Sequence, residues 1–538
     1  MNEANPIVRG SAKAAAAHDW WRGATIYQIY PRSFYDSNGD GVGDLAGITA
    51  RLDHVASLGV DCIWVSPFFT SPMRDFGYDV ADYRGVDPRF GTLADFDDLV
   101  ARAHALGLKV IIDQVYSHTS DQHAWFTESR ADRDNTRADW YVWADPKPDG
   151  SPPNNWQSVF GGPSWTWDAR REQYYHHSFL KEQPQLNVHH VDAQQALLDV
   201  TRFWLDRGVD GFRFDALNFA MHDPALRDNP AVANPAKRTR PFDFQQHIHN
   251  QSHPDIVRFL ERLRGLLDTY GDRFALAEVG GEQALTEMHA FTAGDHRLHS
   301  AYGFDFLYAD ALTPALVART VRQWPDTAGT GWPSWAFENH DAPRAISRWV
   351  APEHAAQFAR TKVLLLAALR GTIILYQGEE LGLTQVDVPF GQLQDPEAIA
   401  NWPQTLSRDG ARTPMPWVAD APNLGFTAAQ PWLPLGPDHA ALAVDRQQSD
   451  PDSLLAFTRT VIALRRDQPA LRTGDIAIVT ADEALLVLDR CLGGQRLRCS
   501  FNLLAQAVPF APGGRTMIST GDIGGNALGP FAALIEDM

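Results

Sequence analysis

Four acidic residues each stand where an apolar, β-branched or aromatic run ends: Asp113, Asp215, Glu278 and Asp341. The runs are Lys109-Val110-Ile111-Ile112-Asp113, Gly211-Phe212-Arg213-Phe214-Asp215, Phe274-Ala275-Leu276-Ala277-Glu278 and Trp335-Ala336-Phe337-Glu338-Asn339-His340-Asp341. Short runs of this kind read as strands. When acids recur at the C-terminal ends of parallel strands separated by helical stretches, a (β/α)8 barrel brings them to one mouth, so the expected class is an α/β TIM barrel. A lone Asp after a strand is ordinarily a turn former or helix cap. The company these acids keep argues otherwise. Arg213 precedes Asp215 by two residues, so the two share a strand face, and a guanidinium beside a carboxylate favours its ionised form. Asn339 and His340 lead into Asp341, and His118 follows Asp113 just past its strand. Converging carboxylates suit glycosidic bonds, where one acid protonates a leaving oxygen and another attacks or steadies the sugar cation.

With these blocks in view, the chain resembles the α-amylase family of glycoside hydrolases, in its α-glucosidase and oligo-1,6-glucosidase branch. The matching segments are Asp113-Gln114-Val115-Tyr116-Ser117-His118, Gly211 to Ala216, Glu278-Val279 and Phe337-Glu338-Asn339-His340-Asp341. Gly77-Tyr78-Asp79-Val80, Gln183-Pro184-Gln185-Leu186-Asn187 and Gly371 to Glu380 match as well, in the family's order. The resemblance implies Asp215 as nucleophile, Glu278 as general acid and base, and Asp341 as the carboxylate gripping sugar hydroxyls. It implies a terminal-glucose pocket lined by Asp79, Tyr78, His118, Arg213, His340 and Arg412. Ala216, directly after the nucleophile, resembles branch members that prefer α-1,4 links, whereas a bulkier Val there resembles the α-1,6 specialists. Ser117 and Gln185 depart from the pattern, Ser117 where α-amylases carry a calcium-holding Asn.

The expected activity is release or transfer of one glucose from the non-reducing end of short α-glucosides, with alcohols as acceptors. A sucrose or maltose isomerase and an oligo-1,6-glucosidase are alternatives within the family, and a catalytically silent barrel is the alternative outside enzymes. The formal charge of −19 argues against nucleic acid or an anionic membrane as partner.

Residues 1–19 read as a loose tail. The barrel is expected over 20–117 and 188–473. Residues 118–187, rich in Trp, Pro, Gly and Asn and without helical periodicity, form an irregular excursion on the catalytic face that resembles the family's domain B. A second excursion, 383–434, carries Arg412 and is expected as a lid. From 474 to 538 the alternating segments around Gly493-Gly494 read as antiparallel strands, resembling the family's C-terminal β-sandwich. Ile48 to Leu58 is expected as the helix between the strands Thr25–Tyr30 and Cys62–Val65.

One segment suggests a metal. Asp36-Ser37-Asn38-Gly39-Asp40-Gly41-Val42-Gly43-Asp44 sets oxygen donors at alternate positions, like the first part of an EF-hand loop but without its closing Glu. A structural Ca²⁺ or Mg²⁺ held by Asp36, Asn38, Asp40, the Val42 carbonyl and Asp44 is the expectation, an Asx-rich turn the alternative. Organic cofactors are not expected. Cys62, Cys491 and Cys499 are too few for a disulfide framework, and with no apolar run of membrane-spanning length the chain reads as cytoplasmic.

Overall fold

The computed structural model describes residues 19–235, 239–325, 331–405 and 407–538, so the expected tail lies outside the described residues except for Asp19. Eight parallel strands close a barrel: β1 (Thr25–Ile29), β2 (Cys62–Val65), β3 (Lys109–Val115), β4 (Gly211–Asp215), β5 (Phe274–Glu278), β6 (Ser300–Tyr302), β7 (Trp332–Ala336) and β8 (Thr372–Tyr376). Each pairs with its sequence neighbours and β8 closes on β1.

Helices alternate with the strands: α1 (Leu45–Ser57), α2 (Leu93–Ala105), α3 (Val191–Asp206), α4 (Ile256–Asp268), α5 (Ala284–Thr292), α6 (Pro314–Arg322), α7 (Ala355–Ala368) and α8 (Leu454–Asp467). Local chemistry fixes where they begin. The Thr92 and Asp95 side chains reciprocally cap α2, and the Asp44 side chain caps α1, starting it three residues earlier than hydropathy predicts.

Apolar residues form two layers. Outward-facing strand residues such as Tyr27, Ile63, Val110 and Phe212 pack with the helices, while Ile26, Cys62, Trp64, Ile111, Phe274, Leu276, Trp332 and Ile374 fill the barrel interior. The period of two then decides what faces the mouth. Asp113 stacks above Ile111, and Glu278 above Leu276. Arg213, paired in register with Asp113 and Leu276, has Asp215 above it.

Two expectations are corrected here. Asp113 does not end its strand, since β3 runs on to Val115. β7 lies earlier than expected, and Phe337–Asp341 forms the loop beyond it. There the Glu338 carboxylate is drawn to Arg344 and Lys362 instead of continuing a ladder.

The excursion after β3 holds a helix, Ala124–Ala131, too short to register as a period, and a small antiparallel sheet of Trp143–Ala144, Gln173–His176 and Trp165–Asp168. The excursion after β8 has its own apolar cluster of Val386, Val388, Leu393, Ala398 and Leu433. It meets the excursion after β3 through Asn401 Nδ2, which donates to the Phe160 carbonyl at 3.1 Å. At the C-terminus, β9 (Asp475–Ala481), β10 (Leu485–Leu492), β11 (Gln495–Asn502), β12 (Arg515–Thr520) and β13 (Ala533–Asp537) form a five-stranded antiparallel sheet. A small three-stranded sheet shares an apolar cluster with it, in which Val508 and Leu528 meet Leu534. All three cysteines are free thiols, and Cys491 lies opposite Arg496, not Cys499. Among the described residues no helix is long and apolar enough to cross a membrane.

Candidate active site

At the C-terminal mouth of the barrel, one guanidinium organises three carboxylates. Arg213, fully buried, places Nη1 at 2.6 Å from both Asp113 Oδ1 and Asp215 Oδ1, and Nη2 at 2.5 Å from Glu278 Oε1. The Tyr302 hydroxyl donates to Glu278 Oε1 at 2.9 Å and accepts from Arg213 Nε at 3.2 Å. Trp64 Nε1 donates to Asp113 Oδ2 at 2.9 Å. Burial raises the Asp113 carboxyl to about 6 against the pull of Arg213. Burial also pushes Asp215 up, with Arg213 opposing and the neighbouring acids reinforcing the rise. Three buried acids around one cation are costly to ionise together. A protonated acid beside an ionised one is what general acid catalysis with a carboxylate nucleophile needs.

A second cluster gathers on Asp341. Arg412 Nη2 lies 2.7 Å and Arg408 Nη1 3.3 Å from its Oδ1, and His340 Nε2 lies 3.2 Å from Oδ2. Burial alone would raise this carboxyl, but the His340 Nε2–H and the Arg412 and Arg408 cations hold it well below the usual range, so it is ionised. The Gln28 amide nitrogen, 2.8 Å from His340 Nδ1, donates there and leaves the proton on Nε2, which faces Asp341 and the Tyr78 hydroxyl at 2.5 Å. Tyr78 stacks on the same imidazole. Burial lowers His340 and His118 to about 3, so both rings are neutral. His118 Nε2 donates to the Tyr78 carbonyl at 3.2 Å and thereby fixes that loop.

Ala216 adopts a left-handed conformation, φ 37° and ψ 47°, and its N–H donates to Glu278 Oε2 at 3.2 Å. Such backbone is uncommon outside glycine. The turn after β4 is thus bent so that the residue following the candidate nucleophile touches the candidate acid.

Of the expected site residues, the structure brings together Asp215, Glu278, Asp341, Tyr78, His118, Arg213, His340, Arg412 and Ala216. Asp79 is different. Its carboxylate accepts from the Ser71 hydroxyl and from the N–H groups of Arg74 and Asp75, at 2.9–3.0 Å, so it braces its own loop. Asp75 faces the cluster in its place, 3.1 Å from both Arg408 Nη2 and Gln183 Nε2. Asp75, Arg408, Tyr302 and Trp64 were not singled out from sequence. Arg408 precedes Arg412 by one helical turn, the signal that could have found it.

The Asp36–Asp44 loop lies apart from this chemistry. Asp36 Oδ1 accepts from the Asn38 and Gly39 N–H groups, and its Oδ2 accepts from Gly41 N–H at 2.8 Å and the Thr427 hydroxyl. Asn38 and Asp40 side chains accept from Asp40 and Val42 N–H. Asp44 accepts from Ser37 and caps α1 through Gly47 N–H at 2.6 Å. Among the described residues the Asp36, Asp40 and Asp44 carboxylates do not converge as a trio within 4.8 Å. The donors are hard oxygens of the kind Ca²⁺ and Mg²⁺ take; Asn38 Oδ1, Asp40 Oδ1 and Asp44 Oδ2 each accept a single bond and keep a second lone pair, whereas both Asp36 oxygens already accept two.

A (β/α)8 barrel whose mouth holds a buried acid pair on a shared guanidinium, with a third ionised acid among neutral polar rings, defines a glycosidic-bond enzyme. The chain belongs to the α-amylase family: the model of the α-amylase catalytic domain matches residues 28–474. It is 52% identical over 498 residues to a probable α-glucosidase of Rhizobium meliloti (strain 1021), covering 91% of this chain and 90% of that one. It is 37% identical over 483 residues to an oligo-1,6-glucosidase of Heyndrickxia coagulans, covering 83% and 85%. A crystal structure of an α-glucosyl transfer enzyme, XgtA, superposes with a TM-score of 0.92 at 52% identity over 96% of this chain and 99% of that one. The trehalulose synthase MutB from Pseudomonas mesoacidophila MX-45 does so at 0.88 and 32%, over 97% and 100%.

Proposed function

We propose that this glycoside hydrolase is a retaining, exo-acting α-glucosidase that releases or transfers the terminal glucose of short α-glucosides and prefers α-1,4 links such as maltose. The observation that carries the reading is the single guanidinium shared by Asp215 and Glu278. Two carboxyls on the terminal nitrogens of one Arg are close neighbours, as a nucleophile and its acid partner must be, whereas an inverting pair stands about 6.5–9.5 Å apart. In the first step Glu278 protonates the glycosidic oxygen while Asp215 attacks the anomeric carbon, and the glycosidic bond breaks as a β-glucosyl ester forms. Glu278, now ionised, takes a proton from water or an alcohol, which displaces Asp215 and gives α-glucose or an α-glucoside. Asp341, kept ionised by two arginines, grips sugar hydroxyls and favours positive charge on the ring. The Asp75–Arg408 pair stands beyond Asp341, and such a wall admits a terminal sugar and not an internal one.

Proton NMR of maltose turnover tests the reading: the first glucose released is the α-anomer. A β-anomer overturns retention. A second reading, sucrose isomerisation, is favoured by the likeness to the trehalulose synthase. Products from maltose, isomaltose and sucrose separate the two, since an isomerase converts sucrose to another disaccharide.

A structural Ca²⁺ or Mg²⁺ at the Asp36–Asp44 loop is part of the proposal. Asp36, Asn38, Asp40 and the Val42 carbonyl would hold it, with Asp44 retained as helix cap. The ion would brace the start of α1 and take no part in the chemistry.

A further inference from the structure

Outside the active site, one group of side chains is arranged for a softer metal. His189 ends the segment leading into α3, while His253 and Asp255 lie just before α4. One ligand atom from each lies within 4.8 Å of the others, and among the described residues this is the one such trio. The site is partly open: the His253 and Asp255 side chains are 22% and 49% exposed. The rings of His189 and His253 meet edge to face, with centroids 4.9 Å apart.

The surroundings add independent signs of a ligand. His189 Nε2 lies 2.7 Å from the His222 carbonyl. A carbonyl only accepts, so Nε2 carries the proton and the lone pair is on Nδ1. An imidazole fixed through one nitrogen by a carbonyl is the usual setting of a metal-binding His. His253 Nδ1 accepts only a long bond, 3.3 Å from Asp255 N–H. His222, 5% exposed, stands edge to face with His189 at 5.3 Å, and its Nδ1 has no hydrogen-bond partner.

We propose that His189, His253 and Asp255 form a binding site for Zn²⁺, with water as the fourth ligand. Two imidazoles and a carboxylate at bonds of about 2.0–2.2 Å with one open position suit Zn²⁺, whereas the oxygen-only loop at Asp36–Asp44 suits Ca²⁺ or Mg²⁺. The ion links the N-terminal ends of α3 and α4. Between His189 and His253 lies the segment after β4, which docks on domain B where Trp156 Nε1 donates to the Arg227 carbonyl at 2.8 Å. Zinc therefore clamps the two ends between which that docking segment runs.

The test is titration of the chelator-treated full chain with Zn²⁺ alone against a chromogenic chelator, at neutral pH and with excess Mg²⁺ to occupy oxygen sites. The expected result is one equivalent bound with micromolar or tighter Kd, weakened at least tenfold by His253→Ala and by Asp255→Asn, and unchanged by His296→Ala at the surface. Co²⁺ in place of Zn²⁺ gives visible d–d absorption that His189→Ala abolishes, a readout of the ligands that does not depend on stability. Absence of stoichiometric binding, or binding indifferent to all three ligand variants, overturns the proposal.

Discussion

Ala216→Val isolates how the linkage is read. Ala216 sits in left-handed backbone and its N–H is bonded to Glu278, so on the proposed reading its side chain borders the junction between the terminal glucose and the leaving group. Left-handed backbone costs an L-residue roughly 1–2 kcal/mol, and a β-branched side chain tolerates it less well than Ala. Two effects follow, and they separate. Any shift of the backbone loosens the N–H contact to Glu278 and lowers kcat on every substrate alike. The added carbons near the leaving-group site penalise one exit direction over the other by about 1–3 kcal/mol, or roughly 10–200-fold in relative kcat/KM. The assay is the ratio of kcat/KM on maltose to that on isomaltose. Wild type prefers maltose, and the valine variant narrows or reverses that preference while its Tm falls by no more than about 2–4 °C. Ala216→Gly is the control, relieving the backbone without adding volume, and its ratio stays at the wild-type value. A valine ratio equal to wild type, or a glycine ratio that moves as far as the valine one, refutes the reasoning and assigns linkage choice to domain B or the lid.

Asp215→Asn abolishes turnover with the fold retained by circular dichroism, whereas Glu278→Gln keeps more activity on a nitrophenyl glucoside, which needs little protonation, than on maltose; equal losses argue against Glu278 as the acid. Asp40→Ala lowers Tm and removes its dependence on added Ca²⁺ or Mg²⁺ while KM is little changed, and a wild-type Tm indifferent to chelator reduces the loop to a turn. Lys362 is buried between Glu338 and Glu379, 2.5 and 2.9 Å away, so Lys362→Met costs about 3–5 kcal/mol by denaturant unfolding, and adding Glu379→Gln recovers part of it. Burial raises Glu287 to about 7 from an ordinary value near 4.5. Such an acid favours the folded state most when protonated, so its contribution is lost as pH rises from about 4.5 to 7. Glu287→Gln therefore stabilises at pH 8 by about 1–3 kcal/mol and little at pH 4.5, as urea unfolding at the two pH values checks.

The barrel was legible because its evidence is local. Strand runs ending in acids, and a period of two that puts Arg213 and Asp215 on one face, need no knowledge of distant contacts. The candidate catalytic trio follows from those same runs. What was missed depends on contacts across hundreds of residues. Nothing near Asp75 announces Arg408, and Asp79 looked the better pocket acid until its carboxylate was found bonded to its own loop. The β7 boundary was misplaced because Glu338 follows an apolar run, and its buried cations, Arg344 and Lys362, lie 6 and 24 residues further on. The short helix Ala124–Ala131 escaped because two turns give too few residues to establish a period.

The two arginines on Asp341 both come from the excursion after β8, and Arg408 reaches back 333 residues to Asp75. A growing chain therefore completes every acid of the site, and all eight strands, before it contains either cation. Until synthesis passes residue 412, Asp341 has only His340 to steady it, and nothing covers that flank of the pocket. The cations on Asp341 thus arrive after the barrel's strands, with a segment that adds no strand to it. Replacing Arg408 and Arg412 together would leave the acids on the Arg213 guanidinium untouched and strip Asp341 of both its cations.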